Sequence, residues 1–159
     1  MTLGRIESKL SRAIEAVASA FLFGILALIS VLVLLRYLFN AGIVGANEIA
    51  TVLFVYTSAL GAAVEVGRRE HIAITFAVER FDPALRRVAG TASLAAVGLL
   101  NAVIAWQSVE WISMTGGYLM PATQMPRIVV QAAIPLGCLL ATLYCLLGAR
   151  QLLGEEAGG

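Results

Sequence analysis

Residues 16–35 read AVASAFLFGILALISVLVLL, twenty positions without Asp, Glu, Lys, Arg or His. A helix needs about 20 apolar residues to cross the hydrocarbon of a bilayer. This run has that length, and its reading decides the fold. A basic lead precedes it: Arg5, Lys9 and Arg12. The apolar core of a secretory signal is about 7–15 residues. Twenty residues exceed it, and no small-x-small cleavage pattern follows. The stretch is expected to be a retained span.

Three further windows are free of charge: 49–64 (16 residues), 88–109 (22) and 128–149 (22). The second covers only about 24 Å as a helix. Its flanks, Ala46 and Asn47 before Glu48 and Val66 and Gly67 after Glu65, can lengthen it. The composition agrees: 60% of the chain is hydrophobic and 13% charged. A soluble domain carries about 45–50% and 25%. No soluble core of this length hides so much apolar surface. The expected fold is all-α, a single membrane domain over 1–159. Four transmembrane helices are placed at about 14–38, 46–67, 84–112 and 128–152.

The charges sort by side. Arg5, Lys9, Arg12, Arg68, Arg69, Arg80, Arg86, Arg87 and Arg150 fall at one face, and only Arg36 and Arg127 at the other. Basic loops stay cytoplasmic, so both termini are expected inside. Tyr37, Phe39, Trp106, Trp111 and Tyr118 flank the other face, as interfacial aromatics do. Interfacial amphipathic segments are expected at about 2–13, where Leu3, Ile6, Leu10 and Ile14 share a stripe, and at about 71–81. Asp82-Pro83 supplies an N-cap and a first-turn proline for span three. Gly116-Gly117, Pro121 and Pro126 mark ordered turn. Pro135 and Gly137 mark a helix kink in span four.

Little in these spans does chemistry. The net charge of +1 gives no support for nucleic-acid binding. A single histidine, His71, excludes bis-histidine haem. The only lysine, Lys9, lies outside the apolar runs and excludes a retinal-type Schiff base. Cys138 and Cys145, two helical turns apart, read as small core residues. No catalytic set and no cofactor or metal ligand group is present, so no enzyme is expected. The midspan polar residues, Asn101 chief among them, are uncharged at neutral pH. Carriers usually need a midplane carboxylate or unwound helices. Asn101 is expected to bond to a neighbouring helix. Glu48 and Glu110 are expected to pair with Arg36 and Arg127, while Arg36, Asn40 and Glu48 form a polar network joining spans one and two.

Several motifs recur in a fixed order: Arg36-Tyr-Leu-Phe-Asn40, Asn47-Glu48-Ile-Ala, Leu60-Gly61-Ala-Ala, Arg68-Arg69-Glu-His71-Ile72, and Pro126 followed by Ala133-Ile-Pro135-Leu-Gly137. This set, over roughly residues 30–140, resembles the small membrane subunit of tripartite ATP-independent periplasmic (TRAP) transporters, the DctQ-like family. Members often have two acidic residues where this chain has Asn47-Glu48, often Asp where it has Thr75, and Pro-x-Leu where it has Pro121-Ala-Thr123.

The resemblance implies a small permease subunit in a bacterial inner membrane. Its partners are a large (DctM-like) permease subunit, which carries the substrate and sodium, and a periplasmic (DctP-like) binding protein, which delivers an organic anion, typically a carboxylate. The small subunit then braces the scaffold of an elevator-type carrier. On this reading Arg68, Arg69 and His71 contact lipid headgroups or the large subunit, and Arg36 and Arg127 are candidates for docking the binding protein. A small multidrug-type exporter also has four spans, but it needs a membrane-embedded Glu that residues 16–35 lack. A small pore-forming protein fits the composition and not the motifs.

Overall fold

The computed structural model describes residues 2–68 and 83–156, with side chains over 9–67 and 88–149. Within them lie helices α1 (Thr2–Phe39), α2 (Ala46–Arg68), α3 (Pro83–Thr115), α4 (Ile128–Gln131) and α5 (Ala133–Glu156). Four candidate membrane spans follow, Lys9–Phe39, Ala46–Gly67, Val88–Thr115 and Ile128–Ala149, each long and apolar enough to cross a bilayer. The chain is an all-α multi-pass membrane protein. Every one of the four charge-free windows falls inside a span, because a helix satisfies its own backbone where no water can.

The helices pack in the order α1, α2, α5, α3 across the bundle, with short α4 touching α2, α3 and α5. Helices α1 and α3 therefore flank the bundle and expose apolar faces, Phe23, Leu26 and Leu34 on one and Leu99, Leu100 and Trp106 on the other. In water such surface drives association. In a membrane, lipid or a neighbouring helix covers it.

Residues 2–13 run directly into span one. They are the opening turns of α1, one unbroken helix of 38 residues, roughly 57 Å long. No proline interrupts it. Of the expected stripe, the described residues Leu10 and Ile14 meet protein. Ile14 joins Val64 of α2 and Tyr144 of α5 in the buried core, with Leu10 packed against them. Ser11 Oγ and Tyr144 Oη share a hydrogen bond of 3.0 Å. Tyr144, 2% exposed, has room only because α2 carries Gly67 beside it. A Cβ there would lie 2.8 Å from the ring. Helix α3 opens at Pro83. The expected interfacial segment at 71–81 and the Asp82 cap lie outside the described residues.

The fourth span is broken between α4 and α5 at Ala132. Pro135 has no N–H to donate to the Gln131 carbonyl one turn back. Leu136 N–H reaches Ala132 O only at 3.3 Å. Gly137 does a different job. Its missing Cβ would stand 2.9 Å from both the Cβ and the carbonyl oxygen of Ala59. The glycine lets α5 lie directly on the backbone of α2.

Candidate functional site

The described polar chemistry gathers where α1 turns into α2 and where α3 turns into α4. Helix α1 stops at Asn40, whose φ of 49° is left-handed. Asparagine tolerates that conformation better than other non-glycine residues. Ala41 N–H then reaches back to Leu35 O at 3.2 Å. Gly45, at φ +85°, turns the chain into α2. Its carbonyl accepts from Glu48 and Ile49 at 3.0 and 3.1 Å.

Between α3 and α4 the chain forms a small hairpin. Leu119 and Pro126 make an antiparallel bridge. Met120 N–H donates to Met125 O at 2.8 Å, and Arg127 N–H to Tyr118 O at 2.8 Å. Gln124 turns the tip with φ 56°. This is the ordered turn that the Gly and Pro punctuation predicts.

Glu48 fastens that hairpin to α2. Its Oε1 accepts from Ala122 N–H at 2.9 Å. Its Oε2 accepts from Thr123 N–H at 2.7 Å and from Thr123 Oγ1 at 2.6 Å. Carboxylate acceptors make stronger hydrogen bonds than neutral ones. Thr123 Cγ2 lies over Gly45, where a Cβ would meet it at 2.6 Å. Only glycine suits that position, on both φ and space.

Glu48 thus spends its carboxylate on the hairpin. No hydrogen bond or ion pair joins it to Arg36 or Asn40 among the described residues. Arg36 and Asn40 do lie together, with Asn47, along a groove between α1 and α2. The pairing expected between Glu48 or Glu110 and Arg36 or Arg127 is absent among the described residues, and Arg127 is exposed beside the hairpin. Arg68 closes α2. Its side chain, like Arg69 and His71, lies outside what is described.

Two polar side chains hold the broken fourth span. Tyr56 Oη donates to Val129 O at 2.9 Å, a carbonyl in the last turn of α4, where intrahelical donors run out. The Tyr56 ring also meets Phe21 edge-on, 6.3 Å between centroids. Gln131, 6% exposed, donates through Nε2 to Thr115 Oγ1 at 2.9 Å. Its Oε1 is buried without a partner in the described structure. Among the described residues Asn101 makes no bond to a neighbouring helix. Its Nδ2 donates to Val97 O on its own helix at 2.9 Å. The side chain borders an apolar groove between α2 and α5, with Ser58, Ala62 and Gly137.

Thr123 and Gly45 are the residues that sequence patterning misses. Glycine three positions before a first-turn glutamate was the available signal. A capping box would have sent that glutamate back to its own helix start. Here it reaches a loop about 75 positions away. Among the described residues no group of three or more His, Cys, Asp or Glu could hold a metal ion.

The arrangement is structural: helices held at fixed spacing, a fastened hairpin, and apolar flanks. Comparison with known proteins points the same way. Residues 25–154 match the family described as tripartite ATP-independent periplasmic transporters, DctQ component. A Haemophilus influenzae protein named for a TRAP transporter small permease role is 40% identical over 63 residues, covering 37% of this chain and 39% of the relative's length. The chain belongs to the DctQ family of TRAP transporter small permease components, and is a transporter component rather than an enzyme.

Proposed function

We propose that this protein is the fixed, bracing subunit of a secondary transporter that imports an organic anion of carboxylate type, in keeping with its family, while the large permease subunit carries substrate and sodium. The observation that carries this is the combination of family membership with four spans whose charge-free cores hold no group charged at neutral pH. Moving an ion through the bilayer usually requires such groups at the midplane. Bracing requires long apolar helices that neighbours and lipid can grip, and exposed α1 and α3 provide them. Removing this chain is expected to abolish uptake while the periplasmic protein still binds its substrate. Full uptake by the large permease alone would overturn the reading.

The orientation belongs to the same proposal. Nine of the eleven basic residues mark one side, so the termini are cytoplasmic in a bacterial inner membrane and the hairpin end faces the periplasm. The binding protein then docks at that end, where Arg127 and Arg36 are the positive charges. Basic side chains at an interface rim set encounter rate and salt dependence. Charge reversal at Arg127, alone or with Arg36, is expected to weaken productive docking about tenfold at low salt, with the difference shrinking as salt screens it. Uptake measured against binding-protein concentration at two ionic strengths checks this, and a rate unchanged at both would remove the arginines from the docking face.

A further inference from the structure

The groove between α1 and α2 is apolar at one end and cationic at the other. Ile29, Leu32, Val33 and Arg36 line it from α1, Asn40 from the turn after it and Asn47 from α2, around a volume of about 880 Å³. On a helix the positions 29, 32, 33 and 36 form one stripe, and Asn40 follows where the helix stops. The rise from Ile29 to Arg36 is roughly 10 Å. The three aliphatic residues therefore lie deeper in span one, and the guanidinium and both carboxamides lie near its end, at headgroup depth. Tyr37, 84% exposed, stands at the same level, where tyrosine favours the membrane interface.

Among the described residues no hydrogen bond engages the side chains of Arg36, Asn40 or Asn47. Arg36 makes no ion pair and no hydrogen bond among the described residues. The carboxylate nearest in sequence, Glu48, is engaged by three hydrogen bonds from the hairpin. No carboxylate lines the groove, so its formal charge is that of one guanidinium. Guanidinium groups bind phosphate oxygens in a bidentate fork, and carboxamides donate to ester and phosphate oxygens.

We infer that this groove is a binding site for an anionic glycerophospholipid. The phosphodiester sits on Arg36, Asn40 and Asn47 donate to the phosphate and the glycerol ester oxygens, and an acyl chain runs along Leu32, Val33 and Ile29. Amphipathic depth matches amphipathic depth: a soluble phosphate would leave the aliphatic wall bare, and an apolar helix would strand the guanidinium. With no acidic residue in the lining to receive an ammonium headgroup, phosphatidylglycerol is favoured over phosphatidylethanolamine. The site rests on the membrane placement of the chain, and it deepens the bracing role, since a lipid held by Arg36 ties the end of span one to one depth. With lipid on Arg36, Arg127 is the one of the two arginines left free to meet the binding protein, and reversal of Arg127 alone carries the docking test.

Native mass spectrometry of the full-length chain, released from mild detergent with phosphatidylglycerol added, reads the site directly. Wild-type protein should retain the lipid, and Arg36→Gln should lower its retention about tenfold, as loss of a charge-assisted contact implies. Arg127→Gln should leave retention unchanged, and Asn47→Ala should give an intermediate loss should Arg36→Gln fail to fold. Equal retention by Arg36→Gln and wild type would overturn the site. Equal retention of phosphatidylethanolamine would overturn its selectivity, and displacement of the lipid by millimolar inorganic phosphate would show an anion site without a lipid. The assay needs neither the large permease nor the binding protein, so failure here leaves the bracing role standing, which uptake alone tests.

Discussion

Replacing Gly137 by valine is expected to push α5 away from α2 and to destabilise the bundle in mild detergent. The Cβ alone would meet the Ala59 Cβ and carbonyl oxygen at 2.9 Å and the carbonyl carbon at 3.2 Å. Side-chain tips can swing away from an intruder, but two of these three atoms are backbone. Either the helices part or α5 rotates. Overpacking of this kind costs about 1–3 kcal/mol where side chains can adjust, and more where they cannot. The position is central: α2 carries α1 on one side and α5 on the other, and α5 carries α3. Losing the α2–α5 contact splits the bundle into two helix pairs. A fall in melting temperature of about 5 °C or more is expected, with alanine intermediate because it already adds the offending atom. Gly61→Val is the matched control, since a Cβ at Gly61 meets nothing within 4 Å. If the two valine variants melt together, the close approach at Gly137 does not hold the bundle.

This contact shows where sequence reading stops. Hydropathy reports the solvent a segment prefers, so the four apolar windows declare four spans. Local stereochemistry is equally legible. Pro83 opens α3, and the Gly and Pro positions around 116–126 become the hairpin. Facing is another matter. On α5 both the lipid side and the protein side are apolar, so no polar stripe tells which residues point inward. Gly137 beside Pro135 then reads as part of a kink, when its work is to touch α2. The amphipathic stripe of Leu10 and Ile14 has the converse ambiguity. An apolar face suits a membrane interface and a protein core equally, and the core around Tyr144 claims it. Polar residues raise the same problem at longer range. Arg36, Asn40 and Glu48 are close in sequence, and proximity implies a shared network. Glu48 instead finds donors about 75 positions on, a choice set by how α2 is rotated.

Glu48→Ala is expected to free the hairpin from the bundle while leaving the four spans in place. Three donors lose their acceptor together: the amides of Ala122 and Thr123 and the Thr123 hydroxyl. The hairpin keeps its own bonds, Met120 to Met125 and Arg127 to Tyr118, so it persists as a turn and loses its attachment. Hydrogen exchange at Ala122 and Thr123 should accelerate about tenfold or more, as local opening becomes easier, with exchange in α2 and α5 unchanged. The conservative variants divide the effect. In Glu48→Gln one oxygen becomes an amino group, and either orientation sets a donor against a backbone N–H, so the loosening should remain substantial. Thr123→Val removes the hydroxyl that donates to Glu48 and accepts from Met125 N–H at a long 3.5 Å, but it keeps both backbone bonds to Glu48, so exchange at Ala122 and Thr123 should stay close to wild type. Because Arg127 follows directly on the hairpin, a free hairpin also lets the arginine wander, and uptake should fall in the same order as exchange rises. If Glu48→Ala quickens exchange and uptake is unaltered, the fastening serves the fold alone. If exchange too is unaltered, the hairpin stands by its own bonds and Glu48 holds nothing.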